Sequence, residues 1–149
     1  MYALGFLESN RNFNIEYKNL LQAIKHLYSA LERIEQVKLY FSVGTISSID
    51  IDEDIRSGYL ETNRCRLYTE EIVLFEEILI PVLSNFYSVW AMNGQLWEQG
   101  YTKYGIRSII TELDNARISL KFCLEYMEDL LNDIGIEEKG EKCEQIPGK

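Results

Sequence analysis

The sequence predicts an all-α fold, an antiparallel bundle of three long helices, and three observations carry that prediction. Apolar residues recur at alternating spacings of three and four along three separate stretches, as in helices that bury one face. Gly44, Gly100 and Gly135 punctuate the ends of those stretches. Only two prolines occur, and one of them, Pro81, falls inside a periodic stretch. A break at Pro81 instead of a kink turns the same pattern into four helices.

The first stretch carries a heptad seam of Phe13, Tyr17, Leu20, Ile24, Leu27, Leu31, Ile34, Lys38 and Phe41. Asn12 or Asn14 suits its N-cap, Glu16 its first turn and Gly44 its C-terminal stop. About 30 residues at 1.5 Å each make a rod of roughly 45 Å. Ahead of it, Met1 to Arg11 reads as a short docking segment with Tyr2, Leu4, Phe6 and Leu7.

Thr45 to Glu61 reads as a loop of about 17 residues, longer than a bundle connection needs and therefore a place for function. Asp50, Asp52 and Asp54 alternate there, and Glu61 stands twelfth counting from Asp50, the ligand spacing of an EF-hand calcium loop. The sixth position, which needs glycine for its turn, is Ile55, and flanking helix pairs are not evident. The run is better read as a solvated acidic helix start.

A second long helix is expected from Thr62 or Asn63, with a seam of Tyr68, Ile72, Phe75, Leu79, Val82, Phe86 and Val89. Leu83 and Trp90 form a neighbouring column, and Glu70, Glu71, Glu76 and Glu77 lie off the seam. Asn93-Gly94 is a second weak point after Pro81. Thr102 caps the last helix, whose seam is Ile106, Ile110, Leu113, Arg117, Leu120, Leu124, Met127, Leu131 and Ile134. Ile109, Ala116, Cys123 and Leu130 give it a second apolar column, and Gly135 is its expected end. The expected organisation is one bundle domain over residues 1–135 and a disordered polar tail over 136–149.

Composition narrows the functional classes. A chain of 149 residues with 46% apolar and 26% charged content fits a single globular domain. The net charge of −9 repels phosphate, and the 15 Lys and Arg residues are scattered, so no direct nucleic-acid role is expected. Three cysteines without C-x-x-C spacing argue against a disulfide framework or a zinc site and suit a reducing compartment. Cys123 reads as a small core residue, Cys65 as lying ahead of a helix and Cys143 as part of the tail. The apolar start is too short and uncharged for a signal peptide, and the apolar runs are shorter than a bilayer span, so a cytoplasmic protein without a membrane partner is expected.

Catalytic patterns are sparse. The single histidine, His26, falls opposite its seam and reads as a surface residue. No Walker loop, G-x-G-x-x-G, H-E-x-x-H or paired Glu-x-x-His motif occurs, and no cofactor is expected. Glu32 with Glu35, Glu70 with Glu71, and Glu125 with Glu128 and Asp129 are candidate Mg²⁺ pairs for an all-α nucleotide pyrophosphatase-like enzyme. They lie off the seams, with no cluster of cations to hold phosphates.

Two cations interrupt the apolar seams. Lys38 can snorkel at a helix C-terminus. Arg117 is expected to pair with Glu76, or to take the Glu77 carbonyl that Pro81 leaves free, as a polar device fixing helix register.

Ten tyrosines and two tryptophans exceed what a slim core hides. Tyr59, Tyr68, Tyr87, Trp97, Tyr101 and Tyr104 are placed near helix ends or loops, and such side chains anchor interfaces. Exposed aromatics, acidity and the lack of a catalytic constellation point to a small binding protein that inhibits or neutralises a basic protein, a toxin, nuclease or defence protein. That is the role of an immunity protein, an antitoxin or a phage anti-defence inhibitor, although no motif identifies such a family. The expected contact residues are Asp50, Asp52, Glu53, Asp54, Tyr59, Trp97, Tyr101 and Tyr104. The alternatives are a self-associating scaffold bundle, hence a homo-oligomer, and the Mg²⁺-dependent enzyme.

Overall fold

Four helices, α1 (Tyr17–Val43), α2 (Ser48–Tyr68), α3 (Val73–Gln99) and α4 (Lys103–Glu144), make up the computed structural model. It describes residues 15–44 and 47–144, with side chains as far as Gly135. The expected docking segment and the caps Asn12 and Asn14 lie outside the described residues.

Helix α1 buries Leu20, Ala23, Ile24, Leu27, Ala30, Ile34 and Val37. Its buried face is turned slightly from the expected seam: Leu31 and Phe41 are half-buried, while Ala23 and Ala30 are sealed. Small residues at those positions let neighbouring helices approach closely. Glu16 is the N-cap residue but makes no side-chain capping bond. Gly44 ends the helix in the left-handed conformation, φ 76°, where a side chain would be strained.

The expected loop over Thr45–Glu61 is a correction, because from Ser48 onward that segment is helix α2. The hydroxyl of Ser47 caps it, accepting from the Asp50 amide at 3.4 Å. Its core face is Ile51, Ile55, Gly58, Thr62, Cys65 and Thr69, again spaced by fours and threes and all buried. Two polar hydroxyls and a glycine disguised that seam. Each has a physical reason: Thr62 Oγ1 donates to the Gly58 carbonyl at 2.8 Å, and Thr69 Oγ1 to the Cys65 carbonyl at 3.1 Å. Gly58 leaves space that the Phe86 ring occupies, so a Cβ there would collide with it. Cys65 is thus buried within a helix, not ahead of one.

The chain turns at Thr69–Ile72 rather than at Pro81. The Thr69 amide closes onto Arg66, and the Ile72 amide onto Thr69. Helix α3 then runs unbroken through Pro81 and Asn93-Gly94 to Gln99. The expected seam is realised here from Ile72 onward, where Ile72, Phe75, Leu79, Val82, Phe86 and Val89 are all buried, while its first member, Tyr68, is exposed at the end of α2. Helix α4 also continues past Gly135, the expected stop, to Glu144. Helix α1 packs against α2 and α4, and α3 packs against the same two, around one apolar core.

Candidate partner-binding surface

Helix α3 is apolar on two faces. One supplies Phe75, Leu79, Val82, Phe86 and Val89 to the core, while the other leaves Val73, Ile80, Tyr87, Trp90 and Trp97 exposed. Its mean hydropathy reaches 1.3, making it the one described helix long and apolar enough to cross a membrane, yet only 28% of that stretch is buried. The expectation that no run is long enough considered uninterrupted apolar residues. Ser84, Asn85 and Ser88 interrupt this helix without lowering its average much.

Beside it, α2 exposes Tyr59 and Leu60. Between the two helices lies a groove of ≈ 400 Å³, walled by Ile55, Tyr59, Leu60, Phe86, Tyr87 and Trp90. A second hollow, also ≈ 400 Å³, continues it toward Asp52, Trp97 and Glu98, and Arg56 and Trp90 line both. The Arg56 guanidinium stands 5.9 Å from the Trp90 ring centre, and its Nε meets Asp52 at 2.9 Å. Held by an aromatic face and a carboxylate, the exposed Arg56 stands where the two hollows meet. Tyr87 and Trp90 tilt against each other at 5.8 Å.

Charge is distributed unevenly about this surface. Between Ser48 and Gln99 ten carboxylates stand against three arginines, so α2 and α3 with their connection hold −7 of the chain's −9. All three arginines are neutralised locally, Arg56 by Asp52, Arg64 by Glu61 and Arg66 by Glu76. Among the described residues Asp50, Glu53, Glu70, Glu71, Glu77 and Glu98 are exposed and pair with no cation.

The residues singled out from the sequence divide among three places. Asp52, Tyr59 and Trp97 line or edge the two hollows. Asp50 and Glu53 are exposed on α2. Asp54 is buried, turned toward α1, and binds Arg33 at 2.9 Å. Tyr101 is half-buried against Phe41, and its hydroxyl donates to Asn93 Oδ1 at 2.5 Å. Burial, and then the charge of Asp52, raise the Tyr101 pKa. Tyr104, 79% exposed, stands at the start of α4. Trp90, Arg56 and Leu60 were not anticipated. For Trp90 the signal was the column it forms with Leu83 beside the core seam of α3; Arg56 and Leu60, on α2, lay in the segment read as a loop.

The EF-hand spacing does not become a site. On a helix Asp52 points away from Asp50 and Asp54, and Asp52, Asp54 and Glu61 each hold a different cationic partner or histidine. Among the described residues no three of His, Cys, Asp and Glu converge as a metal site of three such ligands would require.

Correction is also due for His26. It is half-buried between α1 and α2, stacked on Tyr68 at 5.7 Å, with Nδ1 at 2.6 Å from Glu61 Oε2. A carboxylate only accepts, so Nδ1 carries the proton.

The expected Arg117–Glu76 pair is absent because Arg66 takes Glu76 at 2.6 Å. The two seam cations meet instead at one carboxylate. Lys38 Nζ donates to Asp114 Oδ1 at 2.8 Å, and Arg117 Nε lies 3.5 Å from the same oxygen without making a hydrogen bond. The hydrogen bond from Lys38 holds Asp114 below the usual carboxylate range, against the opposing effect of burial.

No protein-family model, curated protein or solved structure matches the chain.

Proposed function

We propose that this chain is a small acidic binding protein that captures and neutralises a basic protein partner through the face formed by α2 and α3. The observation that carries the reading is the coincidence on one face of exposed aromatic anchors and uncompensated carboxylates. Aromatic side chains supply binding energy at interfaces, while like-signed charge steers an opposite partner and rejects wrong ones. The residues proposed for contact are Asp52, Glu53, Tyr59 and Trp97, with Tyr87 and Trp90 joining them; Asp50, on the side of α2 opposite Asp52, is set aside. Asp54 and Tyr101 serve the fold, and Tyr104 stands apart from the groove.

An antiparallel, up-and-down order of the four helices supports this reading. His26 with Glu61 and Arg33 with Asp54 fit opposed directions for α1 and α2. Tyr28 with Glu128 and Lys38 with Asp114 fit the same for α1 and α4. In that order α2 and α3 form a hairpin presenting one continuous outer face.

The test is capture followed by reconstitution. Tagged protein is used to recover binders from its source cells, and each is purified and assayed with and without an equimolar amount of the chain. The expected binder is basic and loses its own activity on addition. Recovery of the chain alone, or of binders that are acidic or unaffected, would contradict the proposal.

A further inference from the structure

The two hollows between α2 and α3 form one trough with charged edges, and its shape and charge select among occupants. From Phe86 to Glu98 the lining residues of α3 cover roughly 18 Å at 1.5 Å per residue, the length of a helix of about three turns. Tyr59, Leu60, Tyr87, Trp90 and Trp97 line it along that length. Glu53, Glu77 and Glu98 are exposed on the same two helices and hold no cation.

We infer that the trough is the seat of a basic amphipathic helix of the partner. Apolar side chains on one stripe of that helix, spaced by threes and fours, enter the groove beside Tyr87 and Trp90, while its flanking lysines and arginines meet the unpaired carboxylates. This deepens the proposed function and rests on it, adding how and where the partner is held. Two other occupants fit the apolar surface but not the charge. A second copy would bring the same exposed, unpaired carboxylates of α2 and α3 against these, and an anionic lipid surface would meet the same repulsion. The trough is also divided by Arg56, which Asp52 and Trp90 hold in place. Asp52 already offsets that cation, so the trough offers an acidic helix no uncompensated positive charge.

A fluorescent synthetic peptide of about 18 residues tests the inference, with Leu and Trp on one helical stripe and Lys elsewhere. Its controls are a scramble of equal composition that destroys the stripe, and a version with Glu in place of Lys. Fluorescence anisotropy should show binding of the striped basic peptide alone. Tyr87→Asp and Leu60→Asp change exposed side chains and should each weaken it by roughly tenfold or more, a loss of about 1.4 kcal/mol. Ile118→Asp on exposed α4 should leave it unchanged, with circular dichroism confirming that all three variants fold.

Equal binding of the scramble would mean that charge alone recruits the peptide and would overturn the inference. Equal binding by Tyr87→Asp and Leu60→Asp would overturn it too, as would no binding of the striped peptide. Light scattering that shows a dimer dissolved by Tyr87→Asp would assign the trough to a second copy. Sedimentation with phosphatidylcholine vesicles would assign it to a membrane. In any of these cases a basic protein neutralised by the chain would leave the proposed function standing without this seat. The proposed function itself fails only if no such protein is bound.

Discussion

Asp114 shows how single residues reconcile charge with an apolar seam. Lys38 and Arg117 each occupy a seam position on a different helix, and one carboxylate serves both. Because its folded pKa is lowered, the group adds stability at neutral pH that is lost as pH falls through the folded value. Asp114→Asn should therefore lower stability at neutral pH by about 0.5–1 kcal/mol, a modest figure because about a third of the side chain meets water and screens the pair. Chemical denaturation repeated from neutral to acid pH should also show a flatter dependence in the variant than in the parent. The two buried thiols give a second prediction. Burial pushes Cys65 up to about 12, and burial together with Cys65 raises Cys123. With Cys143→Ser to remove the remaining thiol, the folded chain should react with a thiol reagent only as fast as it opens, and both sulfurs should label at once in denaturant.

At the scale of elements, α2 depends on a glycine for which alanine would ordinarily be the better helix former. Gly58→Ala should destabilise the protein by about 1–3 kcal/mol, because the added methyl meets the Phe86 ring in a packed interface. Gly94→Ala on α3 has open space around it and should instead stabilise by about 0.5–1 kcal/mol through helix propensity. Thermal unfolding of the two variants should shift in opposite directions. The same glycine explains why α2 was hard to read. Leu, Ile and Phe wrote the α1 and α3 seams plainly, and the buried face of α3 was legible residue by residue. In α2 the pattern passes through Gly58, Thr62 and Thr69, whose burial is set by Phe86 and by backbone carbonyls that only the folded chain brings near. Pro81 was legible as a local cost but not as a survivor, since its exposed position lets the core residues on either side of it keep α3 whole.

Across the whole molecule, the arrangement joins an ordinary four-helix core to a lopsided surface. The overall acidity and the surplus of aromatics were visible in composition. Their meeting on one face was not, because it depends on α2 being a helix beside α3 rather than a loop. Once paired, these helices bring the exposed aromatics of the groove beside unpaired carboxylates such as Glu53 and Glu98.

The most direct measurement compares two variants of equal net charge against the same purified basic partner. One carries Glu53→Gln, Glu77→Gln and Glu98→Gln on α2 and α3; the other carries Glu35→Gln, Glu125→Gln and Asp129→Asn on α1 and α4, all six being exposed carboxylates. Titration calorimetry at fixed salt should show affinity falling by roughly a hundredfold, about 2.7 kcal/mol, for the first variant and little change for the second. Equal losses would make net charge alone responsible, and a larger loss in the second would place the partner on the opposite side of the molecule; either result would contradict the account.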